Sequence, residues 1–296
     1  MNYLLHNPID LKIILLAGYP ISGVVSPIIF NKIFDICNLN AIAIPVEVKK
    51  GELPEFIRTA KYLKCPGVIL TMPHKQDIIS LVDEVDEQSR MFKSVNAVKI
   101  DEKGSTRGHG FDGKGVVEAL LDSGAELSDK EAVIIGAGGI GSITACELAK
   151  KGVKKITILN RTLERAESLA HNLKNLTDID VEIHLMDKIC NAVKSADILV
   201  QATSLGMKGS GSNFEDLTFL ENLKKEACVI DVVANPPETA LIKRAGQLGI
   251  KTVFGIDIII CQLQILCELF LDAKIGAEAK KMVKNYVREL FKGMET

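Results

Sequence analysis

The sequence predicts a two-domain α/β protein whose second half is a doubly wound parallel sheet. Three observations carry this. The chain has 296 residues, about twice the usual size of one domain. Short apolar runs alternate with helical segments from end to end, which implies parallel strands joined by helical crossovers. A glycine-rich turn, Gly136-Ala137-Gly138-Gly139-Ile140-Gly141, follows one such run and opens a helix-like stretch.

Taken in order, Lys12–Ala17, Ala41–Val46 and Val68–Thr71 read as strands, being apolar runs bounded by Gly, Pro or polar residues. Pro27–Cys37 and Pro54–Leu63 read as helices, each with proline in its first turn. From about Asp112 the alternation restarts more clearly. Its strands are Ala132–Ile135, Lys155–Leu159, Val181–Leu185, Ile198–Gln201, Val229–Val232 and Thr252–Phe254. Helices fall at Gly139–Lys151, Thr162–Leu173 and Glu238–Leu248. Six strands in this rhythm fit a nucleotide-binding sheet. The expected division is residues 1–112 as a first α/β domain, onto which the helices of 256–296 pack back, and 113–255 as the second. The Gly-rich stretch Gly104–Gly115 is the expected hinge.

Composition excludes several classes. Hydrophobic residues make up 47% and charged residues 25%, so disorder is not the dominant state. Lys plus Arg is 36 against 38 Asp plus Glu, a net charge of -2, which argues against a nucleic-acid or anionic-membrane surface. A small basic pocket for a phosphate stays compatible. The seven cysteines show no Cys-x-x-Cys pair, which points to buried thiols in a reducing, cytoplasmic setting rather than to disulfides or thiolate zinc. His6, His74, His109, His171 and His184 lack ligand spacing, so no metal site is expected. The run Leu11–Gly18 follows Asp10 without a basic n-region and does not read as a signal peptide. Asp257, Gln262, Gln264 and Glu268 break the apolar stretch Ile256–Leu271, and a bilayer span needs about 20 mostly apolar residues.

The glycine turn is a G-x-G-x-x-G in strand–turn–helix context, the Rossmann dinucleotide signature. Gly136, Ala137, Gly138, Gly139 and Gly141 are its cofactor-facing positions. Glycine permits the tight turn and the close approach of backbone to pyrophosphate, whose charge the helix N-terminus stabilises. At the end of the next strand, where an acidic side chain would accept the ribose hydroxyls of NAD, stand Asn160-Arg161-Thr162, with Arg165 one turn on. Guanidinium groups favour an adenosine 2′-phosphate, so the expected cofactor is NADP.

Further stretches complete a pattern. These are Gly18-Tyr19-Pro20-Ile21 with Ser26-Pro27, Gly67-Val68-Ile69-Leu70-Thr71-Met72-Pro73-His74-Lys75, Ser94-Val95-Asn96-Ala97 and Gly108-His109-Gly110-Phe111-Asp112-Gly113-Lys114-Gly115. Later come Ala202-Thr203-Ser204-Leu205-Gly206-Met207, Asp231 with Pro236, and Gly255 to Gln262. Together they resemble the shikimate dehydrogenase family over nearly the whole chain. The resemblance implies a catalytic substrate domain followed by a Rossmann-type NADP domain, and reversible reduction of 3-dehydroshikimate to shikimate in aromatic amino acid biosynthesis. It puts the catalytic lysine and its paired aspartate on Lys75 and Asp112, and substrate contacts on Ser26, Thr71, Asn96 and Gln262. It adds Thr203, Ser204 and Gly255 to the cofactor residues. A small-molecule substrate and a monomer or homodimer follow by the same route.

The chemistry asks for such a pair, since the substrate hydroxyl loses a proton as its carbon is oxidised. A free lysine titrates near about 10.4, and a nearby carboxylate favours its charged form. Lys75 is therefore an acid in the reductive direction, and acting as a base requires desolvation or proton sharing with Asp112. His74, beside it, is read as a packing or capping residue. Four positions that are polar in the family are Val24, Ile69, Phe111 and Ala234 here. They suggest a family paralogue with a different, less polar substrate. Two further alternatives are a non-catalytic NADP-binding regulatory protein and a glutamyl-tRNA reductase-like protein. The second lacks support, because neither Cys37 nor Cys65 sits in a nucleophile motif.

Overall fold

The computed structural model describes residues 10–292. By its contacts the chain divides into two compact units, Met1–Phe111 with Gln262–Thr296, and Asp112–Cys261. The first opens as the sequence predicts, with β1 (Lys12–Gly18), α1 (Ser26–Ile36), β2 (Ala41–Glu47), α2 (Leu53–Tyr62) and β3 (Gly67–Leu70). It continues with β4 (Glu84–Val85), α3 (Glu87–Met91), β5 (Ala97–Ile100) and β6 (Thr106–His109). The sheet order is β2-β1-β3-β5-β6-β4. β1 is parallel to β2 and β3, but β5 runs antiparallel to β3 and β6. The sheet is therefore mixed, not purely parallel. Its later strands are two to four residues long and one reads Thr-Arg-Gly-His, too short and polar for an apolar-run signal.

The stretch Gly104–Gly115 is not a bare hinge. Gly104, at φ +84°, turns the β5–β6 hairpin, and the stretch then forms β6 and the start of a helix.

The second unit holds α4 (Asp112–Asp122), β7 (Glu131–Ile135), α5 (Gly139–Lys150), β8 (Lys155–Leu159), α6 (Leu163–Leu176) and β9 (Asp180–His184). Next come α7 (Ile189–Ala192), β10 (Ile198–Gln201), β11 (Cys228–Asp231), α8 (Ala240–Gln247) and β12 (Lys251–Val253). All six strands are parallel in the order β12-β11-β10-β7-β8-β9. That is the doubly wound order, reversing between β7 and β10. One face buries Val133, Ile135, Leu159, Leu199 and Val229 against Val193, Phe219 and Leu241. Helix α9 (Gly255–Leu271) starts in this unit and ends in the first, and α10 (Ala277–Lys292) follows.

In the first unit, Val68 and Leu70 of β3 join Leu15 and Ala17 of β1 against Phe56, Ile57 and Ala60 of α2. Alternation turns Gly67 and Ile69 to the other face. There the Phe270 ring sits so close that a Cβ on Gly67 would meet it at 2.2 Å. α10 packs on α1, with Lys32 Nζ 5.1 Å from the centre of the Tyr286 ring. No disulfide joins the seven cysteines, all of which are among the described residues, with Cys190 exposed and Cys37 partly so. Among the described residues no helix is long and apolar enough to cross a membrane, and no cluster of metal-ligating side chains occurs. His6 lies outside the described residues.

β2 is an edge strand, and its outer edge is closed. Val48 donates its N–H to the Gly18 carbonyl (3.0 Å), so even-numbered residues of β2 face β1 and odd-numbered ones face outward. Outward-facing Ala43 donates to Asn31 Oδ1 (2.7 Å) and accepts from Asn31 Nδ2 (2.9 Å). Pro45, also outward, has no N–H to offer. An edge treated this way does not recruit another strand. Asn31→Ala should destabilise the protein by about 1–3 kcal/mol, since both groups of Ala43 lose their partner. Thermal unfolding reads the loss, and sedimentation should show the variant in larger assemblies than the parent.

Candidate active site

The end of β3 shows how the chain leaves its sheet. Thr71 N–H donates to the Ala17 carbonyl (2.9 Å), continuing the ladder with β1. The next rung slips by one residue, because Tyr19 N–H reaches the Met72 carbonyl (3.0 Å). The Thr71 carbonyl is thereby left to close a turn with His74 N–H (3.0 Å), and Lys75 follows. Gly18 makes this possible, since a Cβ there would come within 2.4 Å of Thr71 Cγ2.

The lysine turn and the asparagine are tied directly. Val95 N–H donates to the Lys75 carbonyl (3.0 Å), and Leu70 N–H to the Asn96 carbonyl (2.8 Å). Asn96 is 4% exposed, and its Oδ1 accepts the Phe111 N–H at 2.8 Å. That bond sets the amide's orientation and makes Nδ2, a pure donor, its other end. His109 stacks on Phe111 with ring centroids 5.3 Å apart, and its Nδ1 lies 3.7 Å from Asp86 Oδ2. The fold thus gathers Thr71, Lys75 and Asn96 at one end of the first sheet. Half-buried Ser26 begins α1 behind Val24 and is not bonded to this group. Gln262 stands on α9 two turns before Phe270. Asp112, 4% exposed, opens α4, where the helix N-terminus favours a carboxylate.

In the second unit the glycine turn follows β7. Gly136 has φ +108°, and a Cβ there would meet Thr203 Cγ2 at 2.7 Å. A Cβ on Gly141 would lie 2.0 Å from the Gly136 carbonyl oxygen. Around a Cβ on exposed Gly138, by contrast, nothing lies within 4 Å, which leaves room for a phosphate. The first bond of α5 runs from Ser142 N–H to the Gly138 carbonyl (2.8 Å). The amides of Gly139, Ile140 and Gly141 therefore stand at the positive end of the helix dipole.

Asn160 joins this turn to the end of β8. Its Oδ1 accepts from Ala137 N–H (3.1 Å) and its Nδ2 donates to the Thr162 carbonyl (2.7 Å). Arg161 and Arg165 are exposed just beyond and form no ion pair with a described residue. These features fit a dinucleotide carrying a 2′-phosphate. Gly255 packs elsewhere, its Cα so close that a Cβ would lie 2.3 Å from the Val233 carbonyl oxygen. Ser204 is exposed.

Sequence reasoning missed Gln201. It is fully buried at the end of β10, and its Oε1 accepts both the N–H (2.7 Å) and the hydroxyl (2.8 Å) of Thr203. Its Nε2 donates to the Thr203 and Leu205 carbonyls at 3.2 and 3.1 Å. A glutamine closing an apolar strand before Ala-Thr-Ser was the available signal. Asp231, one strand over, accepts from Val233 N–H (3.0 Å) and Thr239 Oγ1 (2.6 Å).

A doubly wound dinucleotide-binding unit, linked to a mixed-sheet unit bearing a clamped lysine, defines an α/β oxidoreductase of two-domain type. Family models match in both parts, the shikimate dehydrogenase substrate binding domain over residues 16–98 and shikimate/quinate 5-dehydrogenase over 118–253. The shikimate dehydrogenase (NADP(+)) of Alkaliphilus oremlandii is 36% identical over 274 residues, 91% of this chain and 94% of that protein. The chain belongs to the shikimate dehydrogenase family. Among solved structures, shikimate 5-dehydrogenase from Listeria monocytogenes, in complex with shikimate and NAD, superposes with TM-score 0.83 at 26% identity, covering 94% of this chain and 96% of that one. The ligand-free 5-ketofructose reductase of Gluconobacter sp. strain CHM43 gives TM-score 0.81 at 28% identity, covering 94% and 99%.

Burial pushes the Asp231 carboxyl up to about 6, against the hydrogen bonds it accepts from Thr239 and Val233. Its folded value lies above its unfolded value, so the folded state holds the proton more tightly. The stabilisation is complete below about pH 4 and is lost as pH rises through 6. Relative to Asp231→Asn, wild-type unfolding free energy should fall by about 2 kcal/mol between pH 4 and 7. Denaturant unfolding of both proteins across that range measures the difference.

Proposed function

We propose that this chain is an NADP-dependent dehydrogenase interconverting shikimate and 3-dehydroshikimate. The observation that carries the reading is that backbone bonds hold the segments of Thr71, Lys75 and Asn96 together at the end of the first sheet, in a chain whose second unit has a dinucleotide turn. Residues 113–255 serve as the NADP domain, and 1–112 with 256–296 as the substrate domain. Gly136, Ala137, Gly138, Gly139 and Gly141 accommodate the pyrophosphate, and Asn160 holds the turn in shape. Arg161 and Arg165, with Thr162, receive the 2′-phosphate. Thr203, Ser204 and Gly255 border the nicotinamide half.

When bound, the nicotinamide supplies the two-electron acceptor. Everything else falls to side chains. Lys75 exchanges the proton of the reacting hydroxyl, with Asp112 the carboxylate that the family pattern pairs with it. Asn96 donates from Nδ2 to a substrate oxygen. Ser26, Thr71 and Gln262 orient the remaining polar groups. The helix from Phe270 back to Gln262 spans about 12 Å at 1.5 Å per residue, and the strand from Gly67 to Thr71 spans about 13 Å. With Phe270 seated on Gly67, the two spans are of matched length. The setting is cytoplasmic, the protein a monomer or homodimer, and no nucleic acid takes part.

A second reading keeps the chemistry and changes the substrate. The likeness to a 5-ketofructose reductase, with apolar Val24 and Phe111 at positions that are polar in the family, favours it. Initial rates with shikimate, quinate and simpler cyclic hydroxy acids separate the two. Saturable, fast turnover of shikimate supports the first, and a better analogue supports the second. In either case Lys75→Ala should lower kcat about 10²–10⁴-fold. Arg161→Ala should raise KM for NADP by about tenfold or more and leave NAD kinetics unchanged, since only the 2′-phosphate loses a charge-assisted bond.

A further inference from the structure

In a parallel ladder a residue donates its N–H to one neighbour on the adjacent strand and accepts from the residue two further on. Val48 donates to the Gly18 carbonyl, so the ladder partner for its own carbonyl is the N–H of residue 20. Residue 20 is proline and has none. Val48 is 3% exposed, and a buried carbonyl without a donor is strongly disfavoured. His74 fills the gap, with Nε2 lying 2.7 Å from the Val48 oxygen. A carbonyl only accepts, so the ring hydrogen sits on Nε2. His74 is fully buried, and its Nδ1 has no hydrogen-bond partner.

We propose that His74 is a positioning residue for Lys75, its imidazole replacing the N–H that Pro20 lacks and thereby pinning the lysine-bearing turn to the end of β2. The proposal rests on reading Lys75 as the proton carrier. Two bonds flank that lysine, His74 to Val48 before it and Val95 to its own carbonyl after it. The Cα of Lys75 is thus held from both sides. His74 does not itself exchange the proton, because its one N–H is committed to backbone and its ring has no exposed surface.

The test compares His74→Gln and His74→Leu in the full chain. Glutamine places an amide N–H near the position of Nε2, whereas leucine fills space without a donor. Leucine should lower Lys75-dependent kcat by about tenfold or more, as small misplacements of a reacting group do. KM for NADP should stay within about twofold, and the limb of the pH–rate profile that belongs to Lys75 should shift. Glutamine should restore kcat to near the parent value, with the parent profile.

Two readouts need no turnover. Amide exchange at Val95 should quicken in the leucine variant and not in the glutamine one, and imidazole nitrogen NMR shifts of the parent should put the ring hydrogen on Nε2. Unchanged kcat with leucine, equal impairment with glutamine, or a hydrogen on Nδ1 would overturn the proposal. A parent that turns over no ring hydroxy acid would sink the functional reading alone, while exchange and tautomer would still decide the clamp.

Discussion

Where a buried strand enters or leaves its sheet, the neighbouring N–H and C=O lose their ladder partners while still out of reach of water. Both units are organised around that need. In the second, Gln201 turns back on Thr203 and Leu205, Asp231 on Val233, and Asn160 reaches across to Ala137. In the first, His74 meets Val48 and Asn96 meets Phe111. These contacts lie at strand ends and exit loops, the region where open α/β sheets bind their ligands. A loop bonded down in this way can hold a reactive side chain still.

The parts of the fold legible in the sequence are those that bury long apolar runs. β1, β2, β3 and the six strands of the second sheet fall within a residue or two of expectation, because most are built on Val, Ile, Leu or Ala bounded by breakers, while β9 alternates polar and apolar residues. β4, β5 and β6 are short and partly polar, so their antiparallel pairing left no periodic trace. Lys75, Asn96 and Asp112 were visible through their motifs, but the bonds joining Lys75 to Val95 and Leu70 to Asn96 are backbone contacts without a side-chain signature. His74 looked like a residue that packs or caps. Its partner stands 26 residues away, and the need it meets arises from a hydrogen that Pro20 lacks. No local pattern encodes such a relation.

Two of the four departures from family polarity have packing explanations. Ile69 is buried on the β3 face that also carries Gly67 and Phe270. Phe111 stacks on His109 while its backbone orients Asn96. Apolar character at these positions serves the sheet and the asparagine, whatever it does to ligand choice. Val24 and Ala234 are only partly buried, and no contact in the structure accounts for them.

The first unit is assembled from two separated pieces of chain, while the second is one continuous stretch between them. Synthesis runs from the amino end, and units fold as they become complete. The second unit therefore leaves the ribosome whole before the first has all its parts. Until α9 and α10 emerge, the β3 face that carries Gly67 and the side of α1 that α10 covers stand bare. During that interval the nascent first unit presents sticky surface to chaperones, and the order of completion runs opposite to the order of the sequence.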